Sequence, residues 1–297
     1  MGMLDAWGDH PAVAATLAEA SAALGEDIAA LIKNGPQEQL ALTTNTQPVM
    51  LTAGIACYRA WMAETGLMPA AVAGHSLGEY TALVAAGALS LADALPLVRL
   101  RAQAMQEAVP VGVGAMAAIL GLDAGAVQAG CAEAAAACGE AVEAANFNDP
   151  KQTVISGTKA GVDKACEVLK AKGAKRALPL AVSAPFHSSL MKPAAERLKA
   201  RLADVAVITP WLPVVNNIDV AVVSEPDAIR DALYRQAFGP VRWVEVVQAL
   251  RARGLTHIIE CGPGKVLAGM VKRIDAEALS GAIFDPASLA EVKGMLA

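Results

Sequence analysis

The 297 residues predict an α/β fold: a large domain on a parallel sheet, interrupted by a small ferredoxin-like unit. Three observations carry this. Helical and strand patterns alternate through 1–110 and 183–297, the order that yields parallel strands covered by helices on both faces. The stretch 111–182 reads strand-helix-strand-strand-helix-strand, the βαββαβ order of a ferredoxin-like unit inserted into the larger domain. The pentapeptide Gly74-His75-Ser76-Leu77-Gly78 stands between a short strand and a helix, the setting of a nucleophile elbow in α/β-hydrolase-like sheets.

Taken in order, Pro11 to Ile32 places Val13, Leu17, Ala20 and Leu24 at spacings of three and four, a helical stripe that Asn34-Gly35-Pro36 ends. A second helix fits Thr46 to Glu64, and the apolar run Ala70 to Gly74 has the length of a strand. An Ala-rich helix follows from Gly78 to Ala86. Ser90 is the N-cap of a helix through Arg101 to Glu107, with Asp93 in its first turn. The linker Val109 to Gly114 marks the boundary of the insertion. Within the insertion we expect strands at Ala115–Leu122, Val142–Asn148, Thr153–Gly157 and Arg176–Leu180, and helices at Ala124–Cys138 and Gly161–Lys172. Beyond it come helices at Lys192–Val205, Pro226–Gln236 and Trp243–Arg253, and strands at Val214–Asn216 and His257–Glu260.

Composition narrows the function. Hydrophobic residues make up 55%, charged residues 18% and the net charge is −5, the profile of a compact globular chain without the basic face that nucleic-acid binders carry. Met1 to Pro11 has no basic run ahead of an apolar core, so no secretory signal is read there. Thr81 to Val98 is broken by Asp93 and Pro96, so no membrane span is expected and the location is expected to be cytoplasmic. The five cysteines, Cys57, Cys131, Cys138, Cys166 and Cys261, show neither C-x-x-C pairing nor an adjacent histidine. They read as reduced structural thiols, with no metal site.

Chemistry concentrates at the elbow. Its glycines let the chain turn tightly enough to present the Ser76 hydroxyl, and the N–H of Leu77 falls where an oxyanion would form. A serine needs a base, and the histidines are His10, His75, His187 and His257. His10 lies in a surface-like turn, His75 precedes the serine and should point away from it, and His257 opens a strand. His187, in the loop Ser183 to Ser188 at the domain junction, is the candidate base. Gly262-Pro263-Gly264-Lys265-Val266 lacks the first glycine and the closing Ser or Thr of a phosphate loop and reads as a tight turn. Asn146 and Asn148 read as turn geometry and stay outside the catalytic set.

The stretches Gly74 to Tyr80, Met105 to Pro110, Asn146-Phe147-Asn148, Ala184 to His187, Val214 to Asn217 and Glu260 to Leu267 together resemble the malonyl-CoA:acyl carrier protein transacylases of bacterial fatty-acid synthesis. The resemblance runs from Gly2 nearly to the carboxyl end. It implies that Ser76 is acylated, that His187 takes its proton, and that a backbone carbonyl at Gln236 orients the imidazole. It implies further that Arg101 pairs with the free carboxylate of the malonyl group, a role suited to a planar and permanently charged guanidinium. An arginine on a helix surface is the plainer alternative. Phe186 matches the aromatic that crowds out branched acyl chains. Malonyl-CoA and acyl carrier protein are the implied partners, with no cofactor, nucleic acid or membrane.

Relatives carry an apolar strand and a Gly-Gln-Gly-Ser-Gln loop ahead of the position matching Met1, and the loop supplies a second oxyanion donor. Neither is in these residues, so the expectation is an uncovered apolar strip and a weakened oxyanion hole. Two rivals remain from the sequence. One is a serine hydrolase, which would want an acid behind its histidine and has no use for Arg101. The other is a silent module that binds a carrier protein.

Overall fold

In a computed structural model, which describes residues 1–182 and 184–296, four helices open the chain: α1 (Pro11–Leu24), α2 (Ile28–Asn34), α3 (Gln37–Ala41) and α4 (Thr43–Thr65). The single helix expected over Pro11 to Ile32 is two. Gly25 closes α1 at φ 66°, where a glycine is free to turn left-handed, and Asp27 opens α2 by accepting the Ala30 N–H at 2.8 Å. A short strand β1 (Val72–Ala73), then α5 (Gly78–Ala85) and α6 (Leu91–Glu107) complete the first part of the large domain. Ser90 caps α6 as expected, accepting the Asp93 N–H at 3.0 Å.

The insertion comprises β2 (Gly114–Leu120), α7 (Ala124–Cys138), β3 (Val142–Asp149), β4 (Gln152–Thr158), α8 (Lys159–Ala171) and β5 (Arg176–Pro179). Its strands form one antiparallel sheet in the order β3-β4-β2-β5. Strand periodicity sorts the side chains onto two faces. Ala117, Ile119 and Ile155 pack with Val127, Cys131, Val162 and Leu169 of the two helices, while Met116, Ala118 and Val154 gather on Phe186. That second face lies over the site. It is held there by the N–H of Phe147 donating to Val241 O at 2.9 Å and the N–H of Val241 donating to Ala145 O at 2.8 Å.

The chain then runs through α9 (Lys192–Ala203), β6 (Val214–Val215), α10 (Pro226–Phe238), α11 (Trp243–Ala252), β7 (His257–Cys261), α12 (Val266–Ile274), β8 (Leu279–Ile283) and α13 (Pro286–Met295). The principal core lies where α1, α4, α5, α6 and α9 meet, around Leu51, Ile55, Tyr80, Leu95, Leu97 and Met105. Parallel pairing is present as expected, between β1 and β6 and between β7 and β8. The two pairs are not joined. Parallel strands are ordinarily buried on both faces, yet every residue of β1 and β7 is half-exposed, and both strands line one cleft. No helix among the described residues is long and apolar enough to cross a membrane.

Candidate active site

The turn from β1 into α5 places Ser76 at φ 53°, a left-handed conformation that costs a non-glycine residue energy and clusters at functional sites. Gly74 makes the turn possible. A methyl built on it would lie 1.9 Å from the carbonyl carbon and oxygen of Gly78. Gly78 is different: a methyl there meets open space, so of the two glycines credited with the turn only Gly74 is sterically required. The bend is stapled by Asn217, whose Oδ1 accepts the Ser76 N–H at 2.7 Å while its Nδ2 donates to Gly74 O at 2.7 Å. The Leu77 N–H, at the start of α5, has no acceptor among the described residues, and Leu77 lines the cavity.

His187 also has a positive φ, 58°, and is 4% exposed. Its Nδ1 faces two backbone carbonyls, Gln236 O at 3.0 Å and Gly239 O at 3.2 Å. Carbonyls only accept, so Nδ1 carries the hydrogen and Nε2 presents a lone pair. That lone pair faces Ser76 Oγ at 2.7 Å. Burial first, then the neighbouring Arg101 guanidinium, pushes the His187 pKa down to about 3 against the pull of the two carbonyls. The imidazole is therefore neutral at neutral pH. It is ready to take a proton, and a proton once taken is unstable there.

Arg101 reaches the same hydroxyl from α6. Its Nη2 donates to Ser76 Oγ at 3.1 Å and to Gln236 Oε1 at 3.1 Å, and its Nη1 donates to Gln47 Oε1 at 2.7 Å. It is 3% exposed, so the plainer reading as a surface arginine does not hold. Every hydrogen-bond partner named is neutral, and among the described residues Arg101 has no ion pair. Buried charges are ordinarily paired, so a guanidinium held only by neutral partners stands out here.

Ser76, His187, Arg101 and Phe186 line one cavity of about 840 Å³, which also touches Met116, Asn146 and Asn148 of the insertion. The other histidines behave differently. His75 Nε2 meets Asn148 Oδ1 at 2.8 Å and its ring packs edge-on against Trp243, so it stands apart from the hydroxyl as expected. His10 pairs with Glu64 at 3.2 Å and His257 Nδ1 with Thr256 Oγ1 at 2.9 Å. Asn148, set aside as turn geometry, thus has a specific partner. Gly262 and Gly264 take φ 133° and 100°, the tight turn read from the sequence. The sequence reading passed over Gln47, Glu79, Asn217 and the side chain of Gln236. Glu79 and Asn217 lay within quoted motifs, whereas Gln47 carried no signal. Among the described residues no group of His, Cys, Asp or Glu is placed to hold a metal, and all five cysteines are free.

A hydroxyl paired with a neutral imidazole beside an unpaired buried cation defines an acyl-transfer class of centre, suited to an acyl group that carries its own anion. Residues 1–284 match the acyl transferase domain family, and the chain belongs to that family. It is 51% identical to the malonyl CoA-acyl carrier protein transacylase of Escherichia coli K12, over 98% of this chain and 94% of that protein. The crystal structure of an acyl-carrier-protein S-malonyltransferase from Burkholderia pseudomallei 1710b superposes with a TM-score of 0.96 at 66% identity, covering 98% of this chain and 94% of that one. A malonyl-transacylase in complex with its type II PKS acyl-carrier protein superposes at 0.95 with 47% identity, over 98% and 94%.

Proposed function

We propose that the protein transfers a malonyl group from malonyl-CoA to the phosphopantetheine thiol of acyl carrier protein, by way of an ester on Ser76. The observation that carries this is the position of Ser76 Oγ, 2.7 Å from His187 Nε2 and 3.1 Å from Nη2 of an arginine that forms no ion pair among the described residues. In the first half-reaction the Ser76 proton passes to His187 Nε2 as Oγ attacks the thioester carbonyl. The Leu77 N–H donates to the oxyanion, and Arg101 holds the malonyl carboxylate. Collapse breaks the C–S bond, and the coenzyme A thiolate leaves with the proton from His187. In the second half-reaction the carrier thiol gives its proton to His187, its sulfur attacks the ester, and collapse returns the proton to Ser76. The carbonyls of Gln236 and Gly239 steady the imidazole throughout, the orienting role assigned to Gln236. A cytoplasmic location belongs to the same proposal.

The hydrolase reading finds less support. Nδ1 of His187 is met by carbonyls where a hydrolase of that kind would want a carboxylate, and hydrolysis of a neutral ester leaves Arg101 without a task. The reading is tested by incubating the protein with malonyl-CoA and recording intact mass. One malonyl group is expected on the parent chain and none on Ser76→Ala. An adduct persisting on Ser76→Ala would overturn the assignment, and no adduct on the parent would favour a silent module.

A further inference from the structure

Glu79 is a buried carboxyl that the chemistry above does not use. It sits in the first turn of α5, 2% exposed, and a single oxygen, Oε2, accepts from two donors: the Asn217 N–H at 2.9 Å and Gln236 Nε2 at 3.0 Å. The Gln236 amide nitrogen also donates to Ser76 O at 2.9 Å, while its oxygen accepts from Arg101. An amide can turn end for end. Turned, its NH₂ would face the guanidinium, donor against donor, and its oxygen would face Ser76 O and Glu79 Oε2, acceptor against acceptor. Glu79 supplies the second of the two acceptors that forbid this.

We propose that Glu79 is a positioning residue: it fixes the Gln236 side-chain amide in the one orientation whose oxygen steadies Arg101, and so keeps the guanidinium where it can meet an acyl carboxylate. The inference rests on the reading of Arg101 as the malonyl seat. It makes Glu79 an acceptor first and a charge second, because both donors reach one oxygen and a proton on the other leaves that acceptor in place. The surroundings accord with this. Burial raises the Glu79 pKa to about 7 against the pull of Gln236, Asn217 and Arg101, with Asp219 pushing it further up.

The test compares Glu79→Gln, which keeps an oxygen at that position, with Glu79→Met, which fills the space without one. The kcat and KM of each are measured with malonyl-CoA and with acetyl-CoA, beside melting curves and an Arg101→Ala control. Glu79→Met removes both buried hydrogen bonds, and loss of the one from Gln236 is expected to lower its malonyl-to-acetyl ratio of kcat/KM by about tenfold, mostly through the KM for malonyl-CoA. Glu79→Gln is expected to stay within about threefold of the parent on both substrates, since a volume-conserving change keeps the acceptor. Equal loss on both substrates in Glu79→Met would mean a merely structural role, and Glu79→Gln failing as badly as Glu79→Met would mean that charge matters; either overturns the proposal. Should Glu79→Met not fold, Gln236→Leu, which keeps the carbonyl that holds His187, must show the same selective malonyl loss, and an unselective loss overturns it. An unchanged ratio in Arg101→Ala would instead refute the seat itself, so the two failures are distinguishable.

Discussion

Ser76 keeps a backbone conformation that serine adopts only under constraint, and the constraint is spelled out by a few neighbours. Gly74 leaves room for the carbonyl of Gly78, and Asn217 ties down both flanks of the bend. The two glycines of the elbow therefore differ in kind. Gly74→Ala is expected to cost more than about 3 kcal/mol, because a methyl in contact with backbone has nothing flexible to displace. Gly78→Ala should be neutral or stabilise by about 0.5–1 kcal/mol, since it lies in α5 with open space beside it. Urea denaturation of the two variants checks this, and equal destabilisation would contradict the steric account. At this scale Ser76, Leu77 and Gly74 were legible because they stand together in one pentapeptide. His187 emerged by elimination among four histidines, whereas Gln236 and Arg101 entered through family resemblance, since nothing in the local sequence of a helix announces which side chain turns inward.

Among elements, the strands of the insertion and the helix Ala124–Cys138 were legible because alternation and caps agree with the final packing. Asp123 accepts the Ala126 N–H and Thr158 the Gly161 N–H at the starts of α7 and α8. The last three elements, α12, β8 and α13, were not read. Gly281 interrupts the alternation of β8, but the stripe Val266, Leu267, Met270, Val271 and Ile274 could have revealed α12, and Asp285-Pro286 with Ser288 forms a capping box that could have revealed α13. The separation of β1–β6 from β7–β8 also belongs here.

At the scale of the whole molecule, the site is a junction. The large domain supplies Ser76, Arg101, His187 and Gln236, while the insertion roofs the cavity with Met116, Asn146 and Asn148. The division of labour follows from topology, since the insertion leaves and re-enters the large domain between α6 and the loop that bears His187. That placement, with the proposed role of Arg101 as the seat of the acyl carboxylate, makes transfer of an acidic acyl group the central claim. The most direct measurement is a chase: malonyl-labelled protein, freed of coenzyme A, is mixed with phosphopantetheine-bearing acyl carrier protein, and both proteins are weighed over time. The account predicts that the malonyl group leaves Ser76 and appears on the carrier well ahead of any free malonate. Release of malonate with the carrier left unmodified would contradict it.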